Sequence, residues 1–349
     1  MRIGMMSAWN TDSGVALHAE PVGKAWREMG HELAVFSFIK EDFHGEGFTG
    51  EDEDYVIRCF GTRRTDFLDP RPILTKSFDI FVVQDLNMLP VENLAKIFPL
   101  IQKRAKTVHI VHENALPEEA GFYQFGWDGV VYFCRRQSFL KEVYPQAKLI
   151  HFPCFAVRRK EKLEARKRLE LPLDKKIVYE FCQRGYRPFL RELPEELKGK
   201  AALLIVIPPD YELLEEESPP PWMIIRREKT LSHDRFDDYL FASDAVILHK
   251  FQSRYRAVVS STAFQALGTG CPILVPGQSD FFFPLKDEVI RYEDTEDLKE
   301  TLVDLLEDGE RYRALEVKAG EFAKGNSPRK IAEEHIKLFR SLRRNVGRA

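Results

Sequence analysis

Short apolar runs rich in Val, Ile and Phe recur along the chain. They alternate with stretches whose apolar positions return every three to four residues. In the first half the runs cover 2–7, 33–37, 55–60, 80–85, 107–112, 129–134 and 149–153. None alternates cleanly between apolar and polar, which suits parallel strands buried on both faces. After Ser13-Gly14, the positions Val15, Ala19, Val22, Trp26 and Met29 fall on one helical face, and Gly30 follows as a helix stop. Pro21 lies inside this stretch and predicts a kinked or delayed helix. Strands alternating with helices in this way predict right-handed β-α-β units and a doubly wound sheet.

The pattern then restarts. A charged helical stretch at 158–170 leads into runs at 176–181, 202–208, 222–227, 245–250, 272–276 and 289–292, with a Ser218-Pro219-Pro220-Pro221 loop among them. The chain closes on three helical stretches, 296–306, 312–324 and 328–343, the last preceded by Ser327 as an N-cap. At 349 residues the chain is longer than one hydrophobic core normally serves. The predicted fold class is therefore α/β, with two Rossmann-like, doubly wound parallel-sheet domains facing each other across a cleft. The N-terminal domain is placed at 1–155, the C-terminal domain at 156–326 and a final helical segment at 327–349. Ligands in such folds bind at the carboxyl ends of the strands, so the cleft is the expected site.

Composition narrows the function classes. The formal net charge is -3, and 31% of residues are charged, so nothing suggests bulk nucleic-acid binding. The five cysteines, Cys59, Cys134, Cys154, Cys182 and Cys271, are scattered and odd in number, which argues against a disulfide framework or zinc ribbon and for reduced thiols. The first strand begins at residue 2 with no signal-like segment before it, and no apolar run approaches the ~20 residues of a membrane span. The expected location is cytoplasmic. Arg58, Arg63, Arg64 and Arg71 fall near Phe60 and Phe67, and 341–349 is also basic. These leave open peripheral contact with the inner face of a membrane, or an ordinary solvated surface. Asp52-Glu53-Asp54 reads as a solvent-facing acidic turn, and no D-x-D is flanked by strand signals, so no metal is expected.

Several motifs carry candidate chemistry. Gly14, opening a helix after a strand and loop, is either an ordinary turn glycine or a site where backbone N–H groups approach a phosphate. His112, at the end of TVHIVHE (107–113), is either a hydrogen-bonded structural histidine or a donor to a sugar hydroxyl or phosphate, while His109 on the same strand face reads as buried. Val259-Ser260-Ser261-Thr262 precedes a helix whose free N–H groups and hydroxyls suit an anion, a reading compatible with Ser260 or Ser261 as a plain N-cap.

Taken in order, these segments resemble the retaining glycosyltransferase family 4 of the GT-B fold. The resemblance rests on Ser13-Gly14-Val15, His18, Gly30-His31-Glu32-Leu33, His112-Glu113 at the family's His-Asp pair, Pro153 at its hinge, and Ser243-Asp244-Ala245-Val246-Ile247-Leu248. It is strongest where Gln265-Ala266-Leu267-Gly268-Thr269-Gly270-Cys271-Pro272-Ile273 follows the pattern E-A-M-A-x-G-x-P-V. It covers almost the whole chain, and implies that the final helix crosses back to the N-terminal domain. It also implies transfer of a sugar from a nucleotide-diphosphate-sugar donor to an acceptor (saccharide, lipid-linked or small molecule), with retention at the anomeric carbon and with no metal or other cofactor. Carried over position by position, it makes His112 and Arg187 the catalytic residues, and Gly14, Arg184, Arg187, Ser260, Ser261, Thr262 and Gln265 the donor-binding ones.

The chain also departs from that family. The E-x7-E glutamates are absent: Ala257 and Gln265 stand in their places, and no glutamate occurs between Tyr239 and Lys286. Gln265 retains the capacity to bond a ribose hydroxyl. The segment HKFQSRYR (249–256) is longer than the family loop and brings Lys250, Arg254 and Arg256, which supply donor contacts or face solvent. In Cys182-Gln183-Arg184-Gly185-Tyr186-Arg187, strict register puts Cys182 at the family arginine and Arg187 at its lysine, with Arg184 as the substitute. Two guanidinium groups in a glycine-containing loop suit a diphosphate. Phe281-Phe282-Phe283 is either packing beneath the donor site or an apolar wall. The missing glutamates keep other readings alive: another GT-B activity (an epimerase or an inverting transferase, with Glu113 or His112 recruited as base), or a catalytically silent GT-B subunit.

Overall fold

The structure of the protein is a computed structural model. It describes residues 1–43, 47–113, 115–155, 161–181, 189–190, 192–209, 219–228, 231, 233–250 and 259–344. The chain divides into two compact units, one holding Met1–Pro153 with Pro328–Ala349, the other drawn mainly from 154–327.

The first unit is built on β1 (Arg2–Met6), β2 (Glu32–Phe38), β3 (Val56–Phe60), β4 (Ile80–Gln84), β5 (Lys106–Ile110), β6 (Gly129–Tyr132) and β7 (Lys148–Leu149). All pair in parallel, in the order β3-β2-β1-β4-β5-β6-β7. Every apolar run of the first half thus becomes a strand, each trimmed by a residue or more at its carboxyl end except at β2 and β3. The reason the runs lack alternation is that both faces are covered. Met5, Met6, Phe81, Val82 and Val83 are wholly buried.

Helix α1 (Gly14–Glu28) is capped by Ser13, whose Oγ accepts the Ala16 N–H at 3.1 Å. The expected delay does not occur: the helix begins at Gly14 and runs on past Pro21. Pro21 removes only one N–H from the ladder, and the turns on either side bury Leu17, His18, Val22 and Trp26. The helix ends in a Schellman motif. Gly30 sits at φ +81° and donates to Arg27 O, while His31 N–H reaches Trp26 O. Helices α2 (Arg71–Leu74), α3 (Val91–Gln102) and α4 (Leu140–Val143) complete the connections.

The second unit repeats the design. Strands β8 (Lys176–Phe181), β9 (Ala201–Ile207), β10 (Met223–Arg227), β11 (Ala245–Ile247), β12 (Ile273–Pro276) and β13 (Ile290–Tyr292) form a parallel sheet ordered β10-β9-β8-β11-β12-β13. Its helices are α5 (Lys162–Arg168), α6 (His233–Ala242), α7 (Ser261–Thr269), α8 (Thr295–Glu307) and α9 (Gly309–Gly325). The predicted 158–170 helix is described only from Lys162, since 156–160 lie outside the described residues.

Asp244 ties this unit together. Its carboxylate takes Arg166 Nη2 at 2.5 Å, the Ile177 N–H at 2.7 Å and Lys162 Nζ at 2.7 Å. Burial alone would raise its pKa, but these partners hold it below the usual carboxylate value. The last helix, α10 (Pro328–Arg344), belongs to the first unit and packs on α1 and β5, burying Ile331, Ala332, His335, Ile336, Leu338 and Phe339. Among the described residues no helix is long and apolar enough to cross a membrane.

Two local expectations gain detail. The acidic turn faces solvent at Asp52 and Asp54, as expected, but it is also tied down: Asp52 pairs with Arg58 and takes an Asn10 side-chain N–H, and Glu53 accepts the Trp9 indole N–H at 2.9 Å and pairs with Lys24 at 3.0 Å. The basic-aromatic cluster turns partly inward. Phe60 is wholly buried, and Arg58 also donates to Trp9 O and Phe38 O. Arg63 and Arg71 pair with Glu119 and Asp69, and Phe67 alone of the two aromatics stays exposed.

Candidate functional site

Each sheet has a switch point, where the chain passes from winding one way to winding the other: between β1 and β4 in the first unit, and between β8 and β11 in the second. Side chains at the carboxyl ends of those strands are where such folds bind ligands.

In the first unit Gln84, the last residue of β4, is 1% exposed and bridges the switch point. Its Nε2 donates to Met5 Sδ in β1 at 3.4 Å. Its Oε1 lies 2.9 Å from His18 Nδ1 and 3.0 Å from His112 Nε2. Burial pushes the His18 pKa down to about 3. The His112 pKa is held well below the usual histidine value by burial first, then by His18 and His109. Both rings are therefore neutral near pH 7, with one proton each. An amide oxygen only accepts, so that proton sits on the nitrogen facing Gln84. His112 is left with Nδ1 as an acceptor. Phe133 stands 4.8 Å from each imidazole, ring centre to ring centre, which keeps the pair in an apolar surround.

His109 is wholly buried, as its strand position predicts, and stacks on Trp127 at 5.0 Å. Gly14 opens α1, and the buried Thr11 and Ser13 hydroxyls bond one another just ahead of it at 3.0 Å.

Two carboxyl groups that the motif reading passed over or treated lightly also gather here. Asp85 follows β4 in the left-handed region at φ 53°, and Glu113 follows His112. They hydrogen-bond one another, and each accepts from the Asn87 N–H, at 3.2 and 3.3 Å. Burial raises Asp85 to about 6 and lifts Glu113 well above the usual range, the neighbouring Asp85 charge adding to the latter. Burial and mutual repulsion thus both favour a proton shared between the two carboxyl groups. The hydrophobic run ending Gln84-Asp85 was the available signal. It is weak, because strand ends commonly carry polar residues.

In the second unit, α7 follows β11. Ser260 is its N-cap, and the Ser260 Oγ accepts the Ala263 N–H at 3.4 Å. The Ser260 N–H in turn donates to Phe281 O at 3.2 Å, so the 280–282 turn seats the amino end of the helix. Phe282 is buried and Phe283 is 45% exposed. Ser260, Thr262 and Gln265 are buried and Ser261 half-buried. Gly270 at φ +76° closes the helix. Gly268 lets it lie against the Phe155 backbone, where any side chain would meet the carbonyl oxygen. His249, just past β11, stacks on Phe189 at 3.6 Å and bonds Tyr292 Oη at 2.7 Å. The Lys250 ammonium lies 5.5 Å from the Phe281 ring.

The predicted site residues thus fall into two groups. Gly14 and His112 sit at strand and helix ends of the first unit, and Ser260, Ser261, Thr262 and Gln265 at α7 of the second. Arg184 and Arg187, like Cys182, Arg254, Arg256 and Ala257, lie outside the described residues. Among the described residues no group of three or more His, Cys, Asp or Glu is placed to hold a metal ion.

A search against protein-family models finds no match. Solved structures do match over nearly the whole length. Sucrose-phosphate synthase from Thermosynechococcus elongatus aligns at a TM-score of 0.64 and 14% identity, covering 98% of this chain and 99% of that one. A glycosyltransferase from Rickettsia africae ESF-5 aligns at 0.67 and 12%, covering 98% of both chains. An alpha-glucosyltransferase in complex with UDP and a 13-mer DNA aligns at 0.64 and 13%, covering 97% and 99%. At such identities the likeness concerns fold. Two parallel-sheet α/β domains in this order are the GT-B architecture of glycosyltransferases.

Proposed function

We propose that this chain is a nucleotide-sugar-dependent glycosyltransferase, with the donor diphosphate held by the second unit and the acceptor handled by the first. The observation that carries the reading is the amino end of α7. The nine-residue helix α7 is the element that follows β11, one of the two strands at the switch point, and Ser260, Thr262 and Gln265 are buried at and after its amino end. Its first N–H groups and its dipole favour an anion. Neighbours of the same fold whose names carry UDP support a sugar nucleotide as that anion's source.

In this reading the bond between the anomeric carbon and the donor phosphate oxygen breaks, the acceptor hydroxyl bonds to the carbon, and the proton leaves with the diphosphate. Retention at the anomeric carbon follows from the resemblance to family 4. The main catalytic contribution is electrostatic stabilisation of the departing diphosphate by the α7 end, Arg184 and Arg187. His112, with its Nε2–H committed to Gln84, takes part by accepting from a sugar hydroxyl through Nδ1. Gln265 bonds the ribose.

The test is a thermal-shift and mass-spectrometric screen with UDP, GDP, ADP, dTDP and their sugars. Stabilisation by one nucleotide, and turnover of its sugar with an α-linked donor giving an α-linked product, are expected. The absence of any glutamate from Tyr239 to Lys286 favours one second reading, a silent GT-B subunit. No shift with any of the four nucleotides would select it.

A further inference from the structure

We infer that Gln84 is a positioning residue that sets the tautomer of His112, so that this strand end reads a hydroxyl group and not a phosphate; its bearing on sugar transfer rests on the glycosyltransferase reading of the chain. Gln84 closes β4 opposite Ile110 of β5, and its side chain shares a sheet face with Val82 and with Met5 of β1. Met5, Val82 and Ile110 are wholly buried and apolar, so an aliphatic side chain would fill the position without needing partners. The amide is there for the bonds it makes.

Met5 fixes which way that amide points. A thioether sulfur accepts weakly and donates nothing, so the nitrogen faces Met5 Sδ, at 3.4 Å, and the oxygen faces the two imidazoles. A carbonyl oxygen has two lone pairs, and both are taken: His18 Nδ1 donates at 2.9 Å and His112 Nε2 at 3.0 Å. The two rings stand 5.5 Å apart, centre to centre, and 82° from parallel, which lets both reach one atom. Burial keeps both neutral near pH 7, so each has a single proton to give. They therefore carry it on opposite nitrogens, His18 on Nδ1 and His112 on Nε2.

The consequences of this differ between the two rings. His18 is wholly buried, and its Nε2 is enclosed without a partner. His112 is half-buried, and among the described residues none takes its Nδ1. A bare ring nitrogen accepts from a sugar hydroxyl. Ionised phosphate oxygens only accept as well, so they gain nothing from it. Without the Gln84 oxygen the His112 proton is free to move to Nδ1, which reverses the preference, and the ring loses the bond that aims it.

The test reads the imidazole nitrogen NMR shifts of His18 and His112 in the full chain and in Gln84→Leu near neutral pH. Release of nucleoside diphosphate from UDP-glucose, GDP-mannose, ADP-glucose and dTDP-glucose is followed in the same proteins, in His112→Ala, and in the double variant. The native chain is expected to show the proton on Nδ1 of His18 and on Nε2 of His112. Gln84→Leu should lose that preference and lower turnover about tenfold, with affinity for the bare nucleoside diphosphate unchanged. In the His112→Ala background it should cost nothing further, because Gln84 acts through His112. A native His112 protonated on Nδ1 overturns the inference. So does a fully additive loss in the double variant, which marks a merely structural role, or an unchanged turnover in Gln84→Leu. If the native chain shows the opposed tautomers but neither binds nor cleaves any of the four donors, the glycosyltransferase reading has failed and the role in transfer with it, the tautomer assignment standing alone. Should Gln84→Leu not fold, Gln84→Met, unbranched and adaptable, takes its place, and the native spectrum remains decisive.

Discussion

Replacing Gly268 by alanine sets two effects of opposite sign against each other. Gly268 lies inside α7, where alanine normally stabilises a helix by about 1 kcal/mol. Here the added Cβ would stand 2.1 Å from the Phe155 carbonyl oxygen and 3.1 Å from its carbon. The first is short of ordinary contact by roughly 1.3 Å, and the obstacle is backbone, with no rotamer to yield. Overpacking of this kind costs about 1–3 kcal/mol, and the absence of any side-chain escape places it at the upper end. The net expectation is a loss of about 2 kcal/mol, equivalent to a Tm lowered by ~4–8 °C for a unit of this size. Relief must come by sliding α7 away from Phe155, which carries Ser260–Thr262 along with it. Thermal denaturation combined with nucleotide titration checks both consequences. A Gly268→Ala protein as stable as the parent, or more so, would refute the claim that close approach outweighs helix propensity at this position.

Removal of the Asp244 carboxylate in Asp244→Ala leaves Arg166, itself 4% exposed, without its ion pair, and should destabilise the protein by about 3–5 kcal/mol in chemical denaturation. Because Asp244 is held below its unfolded pKa, this contribution is present above about pH 4 and fades as the pH falls through the lower folded value. His335 is wholly buried beside His18 and Trp26, and burial holds it neutral, so unfolding lets it bind a proton once the pH drops below about 6.5. At about pH 5 that linkage alone amounts to about 2 kcal/mol, so the Tm of His335→Leu relative to the parent should shift in the variant's favour from neutral to acid pH; a constant difference would contradict it. Arg187→Ala should weaken nucleotide binding more than it alters Tm, and equal affinity would remove Arg187 from the site. His112→Ala should lower turnover with little change in affinity for the bare nucleoside diphosphate, and a collapse of that affinity would reassign the residue.

Hydrophobic patterning alone was enough to locate the strands, because a parallel sheet covered on both faces demands unbroken runs of Val, Ile and Phe. The Gly30 stop was equally legible and the α7 cap was narrowed to Ser260 or Ser261, since each is a local backbone requirement met by a residue type. Other features depend on where distant segments meet. Nothing near Gln84 in the chain indicates that it joins His18 to His112, which come from a helix and a strand end 66 and 28 residues away. Nor could the sequence say which nitrogen of His112 is spoken for, and hence whether it donates or accepts. Asp52 and Glu53 read as a solvated turn, and only packing shows that Arg58, Trp9 and Lys24 also hold them. Nothing in the 176–181 run indicates that Glu180 receives the Phe189 and Leu190 amides. Local chemistry writes periodicity and caps into sequence, whereas partners for buried polar groups are supplied by packing, and only the assembled sheet decides which ones arrive.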